Sequence, residues 1–112
     1  GIGGLVVDGV IRDIAGVKAL NFPVFTRGTT VAASGKAGVG EVNVPISCGG
    51  ASVTPGDIIV GDADGVVVIP QAREQEILAN SLAKMKKDEA REKSISGNPE
   101  AIRKHLSQLL TK

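Results

Sequence analysis

Tryptophan and tyrosine are absent, and Phe22 and Phe25 are the only aromatic residues among 112. A base-stacking platform for single-stranded nucleic acid therefore has no material to be built from. The single cysteine, Cys48, allows no internal disulfide and no multi-thiolate metal centre, which points to a reducing cytoplasm. No run of 18 apolar residues occurs, so no membrane-spanning helix is expected. The formal net charge is only +1, too small for strong electrostatic steering of a charged partner.

What remains is 42% apolar and 22% charged, the composition of a single globular domain. A chain of this length buries roughly two-thirds of its unfolded surface, so its stability is expected to lean on partner chains or an extended neighbour. The even charge hides a split. Residues 1–70 carry four basic and six acidic side chains and 14 of the 15 glycines, whereas residues 71–112 carry nine basic and six acidic ones. A Gly-rich β segment is followed by a charged helical one. Gly1-Ile2-Gly3-Gly4 lacks an initiator Met and runs directly into Leu5-Val6-Val7, as expected of a cleavage point or an edge within a longer protein.

Leu5 to Val10 is short and Val-rich, the pattern of a strand covered on both faces, with Asp8-Gly9 interrupting or ending it. Ile14, Val17 and Leu20 recur three apart and predict a short helix with Asp13 at its N-cap. Phe22 to Phe25 reads as the next strand, and Gly28 to Gly40 as a mobile small-residue loop. Glu41 to Ile46 alternates as a half-exposed strand, with Pro45 confining it to an edge or bulge. Gly49-Gly50 and Pro55-Gly56-Asp57 are turns. The strongest hairpin signal is Asp57–Val60 and Val66–Ile69, joined through Gly61-Asp62-Ala63-Asp64-Gly65. A long helix follows Pro70, in which Leu78, Leu82 and Met85 form one stripe that packs on the sheet. The stripe stops at Met85 while helix formers continue, with an i,i+4 Glu89–Lys93 pair. Ser96-Gly97 ends this helix, and Asn98-Pro99 caps another whose apolar face is Ile102, Leu106, Leu109 and Leu110.

Arg12-Asp13 follows a strand and a glycine, where α/β proteins gather ligands. A guanidinium matches the two oxygens of a carboxylate, and an adjacent aspartate suits a hard cation such as Mg²⁺. On spacing alone the structural reading weighs more: Asp13 caps the next helix and Arg12 lies on the surface. Asp62 and Asp64 could hold a cation, but aspartate is an ordinary turn residue, as is Asp57. The glycine loop fails the phosphate-binding pattern because Lys36 is followed by Ala37. His105 has no His or Cys partner and reads as a surface or interface residue; Cys48 reads as a small buried residue. Lys84, Lys86, Lys87, Arg91 and Lys93 could line nucleic acid, but Asp88, Glu89 and Glu92 share those turns and repel phosphate. No direct nucleic-acid binding is expected.

Four segments taken in order, Gly4-Leu5-Val6-Val7-Asp8-Gly9-Val10-Ile11-Arg12-Asp13, Val44-Pro45-Ile46, Pro55–Val60 and Asp62–Pro70, resemble the RraA-like family. That family includes the regulator of ribonuclease activity A and the class II 4-hydroxy-4-methyl-2-oxoglutarate/4-carboxy-4-hydroxy-2-oxoadipate aldolases. The resemblance extends over the whole chain as the C-terminal half of such a protein. It implies an α/β protein with the β/β/α swivelling-domain fold, residues 1–70 forming its β-rich part and 71–112 its C-terminal helical extension. It also implies a cytoplasmic homotrimer or hexamer with sites between subunits. In the aldolase branch the Arg-Asp pair binds pyruvate and Mg²⁺ or another divalent cation such as Mn²⁺, which assigns substrate binding and catalysis to Arg12 and the metal to Asp13. A carboxylate from a neighbouring subunit's long helix maps onto Glu89, with Asp88 in reserve. The implied reaction is cleavage of a 4-hydroxy-2-oxo diacid to pyruvate, with oxaloacetate decarboxylation alongside. The family's earlier Gly-Asp segment and carboxylate-binding loop have no counterpart in this chain. The other branch implies a non-catalytic regulator that binds a ribonuclease.

Overall fold

The computed structural model describes residues 1–111, and these form a mixed α/β chain in which strands are followed by C-terminal helices. Contacts divide it into two compact units, one spanning Gly1–Ala72 and one beginning at Arg73.

In the first unit, β1 (Leu5–Ile11) pairs in parallel with β2 (Val24–Thr29), and α1 (Ile14–Ala19) lies in the connection between them. A parallel pair needs such a crossover because no tight turn can join strands running the same way. Asp8-Gly9 does not end β1. The strand continues to Ile11, but its register slips: Val7 pairs with Thr26 and Val10 with Gly28. One extra residue sits on β1, a β-bulge. β2 begins at Val24, two residues later than expected, and runs on through Arg27 and Gly28.

Two antiparallel hairpins complete this unit. The first, β3 (Ile46–Cys48) and β4 (Ala51–Val53), turns at Gly49-Gly50, whose φ angles of 61° and 82° are the left-handed pair that a two-residue hairpin turn requires. The strand expected over 41–46 is absent except for Ile46. Asn43 turns left-handed at φ 58° and Pro45 has no N–H to give a ladder, so the alternation of Glu41 to Val44 lies in irregular chain. The second hairpin, β5 (Ile58–Gly61) and β6 (Val66–Ile69), forms where the sequence predicts one, with Ile58 opposite Ile69. Phe25 packs against the backbone of Gly61 so closely that a Cβ there would fall 2.5 Å from the ring, so only glycine fits.

A 3-10 turn, Gln71–Arg73, spans the boundary, and the second unit holds α2 (Glu74–Ile95) followed by α3 (Pro99–Leu110). The α3 start is as the sequence predicts: Asn98 Oδ1 accepts from the Glu100 and Ala101 amides at 3.1 Å each, and Pro99 takes the first turn. The Glu89–Lys93 pair is not among the ion pairs of the described residues. Asp88 is paired with Lys84 and Arg91 instead.

None of the described residues is buried. Leu5, Val6 and Val10 are 48%, 41% and 55% exposed, so β1 is not covered on both faces within this chain. Leu78, Leu82 and Met85, expected to pack on a sheet, are half exposed, as are Leu106 and Leu109 of α3. Apolar faces are laid out in periodic order without being covered. At about 25 cal/mol per Å² of apolar surface removed from water, these faces contribute little until something lies over them.

Candidate functional site

Arg12 and Asp13 stand at the carboxyl end of β1, immediately before α1. Ile11 O accepts from the Thr30 amide at 2.9 Å, so the chain is tied to the end of β2 up to the residue before Arg12. Asp13 then turns left-handed, at φ 59° and ψ 39°. A residue other than glycine in that conformation costs of order 1 kcal/mol or more, a cost aspartate bears better than most.

The Asp13 carbonyl accepts from the Val17 amide at 3.0 Å and opens α1, which is what an N-cap backbone does. Its side chain does not follow. No cap hydrogen bond forms, and the carboxylate meets the Arg12 guanidinium instead, Nε to Oδ2 at 3.3 Å. The expectation that Asp13 caps the helix therefore holds for its backbone and fails for its carboxylate. The two side chains are 52% and 79% exposed, and an ion pair so exposed contributes about 0–1 kcal/mol to stability. Strain and exposure give the pair no structural return, which separates it from Asp8, Asp57 and Asp62.

Those three are occupied with the backbone. Asp62 Oδ1 accepts from the Asp64 and Gly65 amides at 2.8 and 3.2 Å and closes the β5–β6 turn. Asp57 accepts from Thr54 N at 2.8 Å and Gln71 N at 3.1 Å. Asp8 pairs with Arg27 and accepts from Gly49 N at 2.9 Å. Asp8 and Arg27 escaped the sequence reading; the only signal was a charge in the middle of the apolar Leu5–Ile11 run. Cys48, expected to be buried, is half-buried on the wall of a cavity of about 860 Å³, which neither Arg12 nor Asp13 lines. Strand residues such as Val6, Phe25, Ile59 and Val66 line that cavity, so its character is that of an uncovered apolar face.

In the second unit, Asp88 accepts from Lys84 at 2.9 Å and pairs with Arg91 at 2.8 Å; the hydrogen bond from Lys84, then the Arg91 charge, hold its carboxyl below the usual range. Glu76 is similarly held down by Arg73, which grips both of its oxygens. Glu89 is exposed and joins none of the ion pairs among the described residues. His105 is half-buried on α3.

No group of three or more His, Cys, Asp and Glu able to hold a metal occurs among the described residues. What the chain offers at Arg12-Asp13 is one exposed carboxylate, a donor that suits Mg²⁺, which keeps most of its waters, and not Zn²⁺, which seeks several nitrogen or sulfur ligands.

Residues 1–68 match the family model described as "RraA-like: Aldolase/RraA". The chain belongs to the RraA-like family. A Halalkalibacterium halodurans protein named "Putative 4-hydroxy-4-methyl-2-oxoglutarate aldolase" is 59% identical over 110 residues, covering 98% of this chain and 52% of the relative. The crystal structure of an uncharacterized protein from Pseudomonas syringae pv. tomato superposes with a TM-score of 0.80 at 33% identity, over 92% of this chain and 52% of that one. The structure of Streptomyces coelicolor RraAS2, described as an unusual member of the RNase ES inhibitor RraA protein family, superposes at 0.71 with 30% identity, over 83% of this chain and 56% of that one. This RraA-like chain thus spans about half the length of the relatives it matches. The C-terminal helices lie beyond the part covered by the family model, but the 59% identity runs through them. Among the described residues no helix is long and apolar enough to cross a membrane.

Proposed function

We propose that this chain supplies the Arg12-Asp13 half-site of a divalent-metal-dependent lyase. Its substrates are 4-hydroxy-2-oxo diacids of the 4-hydroxy-4-methyl-2-oxoglutarate or 4-carboxy-4-hydroxy-2-oxoadipate type, cleaved to pyruvate in the cytoplasm. The carrying observation is Asp13: its left-handed backbone takes the carboxylate off the helix cap and leaves it exposed beside Arg12. The aldolase name of the 59% identical relative supports the same reading.

Arg12 binds the anionic end of the 2-oxo acid, its planar donors matching two oxygens. As the carbon–carbon bond breaks, the released electron pair moves onto the 2-oxo oxygen, and the Arg12 guanidinium opposes the charge that develops there. Asp13 would hold Mg²⁺ or Mn²⁺. When bound, the metal supplies Lewis-acid polarisation of the substrate oxygens. Glu89 from a neighbouring copy in a homotrimer or hexamer takes the hydroxyl proton, a task for which Asp88, held by Lys84 and Arg91, is poorly free, and protonation of the enolate carbon then completes pyruvate. Oxaloacetate loses CO₂ by the same movement of electrons, so decarboxylation belongs to the same site.

The test is pyruvate release by the protein that carries this chain, with and without EDTA. Activity abolished by EDTA and by Asp13→Ala supports the reading; activity untouched by Asp13→Ala overturns it. A second reading rests on the structural likeness to a member of the RNase ES inhibitor family, namely a protein-binding regulator of a ribonuclease. Capture of a ribonuclease by a protein with no lyase activity would favour it.

A further inference from the structure

We infer that Asp8 is a positioning residue that sets the direction in which Arg12 and Asp13 leave the sheet; its link to catalysis rests on the lyase reading above. Val7 and Val10 are three residues apart on β1 but pair with Thr26 and Gly28, two apart on β2. Side chains alternate faces along a strand, so an uninterrupted β1 would place Val7 and Val10 on opposite faces. The extra residue resets the alternation. Everything after it, Val10, Ile11, Arg12 and Asp13, takes its orientation from that reset, and bulges beside functional sites commonly re-aim side chains in this way.

A bulge gives up ladder pairing and needs something to fix it. Asp8 sits inside it, and its two oxygens go to two different elements. Oδ1 meets Nε of Arg27, the β2 residue that lies between the two paired positions, and Oδ2 accepts from the Gly49 amide in the β3–β4 turn at 2.9 Å. Arg27 is 66% exposed and Asp8 36%, so the ion pair by itself is a weak source of stability. Its geometry is what matters. A carboxylate anchored at both oxygens, one of them to a backbone N–H 41 residues away, ties the bulge to β2 and to the neighbouring hairpin. A charged residue in the middle of Leu5–Ile11 otherwise works against an apolar strand, and this clamp accounts for its presence.

The clamp is tested by amide hydrogen exchange on Asp8→Ala and Asp8→Asn in the protein that carries this chain. Two amides bracket the bulge: Leu5 N, bonded to Pro23 O at 2.9 Å before it, and Thr30 N, bonded to Ile11 O at 2.9 Å after it. In Asp8→Ala, exchange at Thr30 is expected to rise at least about tenfold while Leu5 stays as in the wild type. Asp8→Asn keeps an acceptor for Gly49 and is expected to fall between the two. Equal acceleration at both amides, or none at either, overturns the clamp. Magnesium affinity, measured by calorimetry, is expected to fall about tenfold in Asp8→Ala, the size of effect typical of residues that orient a ligand. Unaltered affinity and unaltered kcat and KM, with Thr30 released, would leave Asp8 a strand clamp and overturn its positioning role. A wild type that neither binds magnesium nor releases pyruvate would sink the lyase reading, and with it the link to catalysis. The exchange contrast would still decide the clamp.

Discussion

The acidic residues of the two units are employed differently. Between Gly1 and Ala72 they accept backbone N–H groups: Asp8 from Gly49, Asp57 from Thr54 and Gln71, Asp62 from Asp64 and Gly65. Beyond Arg73 they pair with side chains along one helix, Glu76 with Arg73 and Asp88 with Lys84 and Arg91. The reason is local. A hairpin-rich segment presents unsatisfied amides at every turn, whereas a helix satisfies its own and leaves carboxylates only the basic residues three or four positions away. Outside those two habits lie Asp13, which bonds no amide and pairs only with its neighbour Arg12, and Glu89, which like Glu74, Glu92 and Glu100 joins no ion pair among the described residues. What sets Asp13 apart is the combination of a left-handed backbone with a carboxylate turned to an adjacent guanidinium.

The sharpest way to break this contrast is Asp13→Ala. Removing a carboxylate whose one side-chain partner is exposed Arg12, at the cost of placing alanine in a left-handed backbone, is expected to lower the thermal midpoint by only a few degrees while lowering pyruvate release on the order of a thousandfold. A lowered midpoint with preserved activity would return Asp13 to the structural group. Glu89→Ala comes next, with turnover expected to fall about a hundredfold and the oligomer intact by size-exclusion chromatography. An unchanged rate would move the role to Asp88 or remove it.

For the structural carboxylates the expectation reverses. Asp57→Ala deprives Thr54 and Gln71 of their acceptor and is expected to destabilise the protein by about 1–2 kcal/mol in urea titration, since each exposed hydrogen bond contributes roughly 1 kcal/mol. The metal affinity should not change. A stable Asp57→Ala protein with impaired activity would show that the division by bonding partner does not track function.

Much of this was legible in the residues. The β5–β6 hairpin, the Gly49-Gly50 turn and the Asn98-Pro99 cap each depend on chemistry confined to a few neighbouring positions, and each stands where the sequence puts it. Glu41 to Ile46 misled because alternation reports faces, not partners: Asn43 and Pro45 spoil the ladder while leaving the pattern intact. The interruption at Asp8-Gly9 was legible, but its form, one extra residue against β2, was not, because register is a property of two strands. For the site, the sequence brought Arg12 and Asp13 together by adjacency; spacing alone favoured the helix cap for the Asp13 carboxylate, and only the family resemblance pointed it to a metal. Only the backbone conformation shows that the cap bond is not made.

The smallest expected effect lies in the second unit. The carboxyl of Asp88 is held below its ordinary value of 3.8, first by the hydrogen bond from Lys84. Because the unfolded chain then takes up its proton at a higher pH than the folded one, the contribution of this pair is present above the unfolded value and is lost as pH falls through the folded one. Glu76, held below 4.5 by Arg73, behaves in the same sense. Both pairs are exposed enough to be screened, so the effect is small and should shrink in high salt. The measurement is the urea midpoint of the wild type against Asp88→Asn, followed by the helical circular dichroism signal. The variant should be slightly weaker at pH 7, and the gap should close below about pH 4. A gap that persists in acid would mean that Asp88 acts through something other than its charge. Its claim to be a helix-surface pair, and the reason for preferring Glu89 as the available carboxylate, would then fall together.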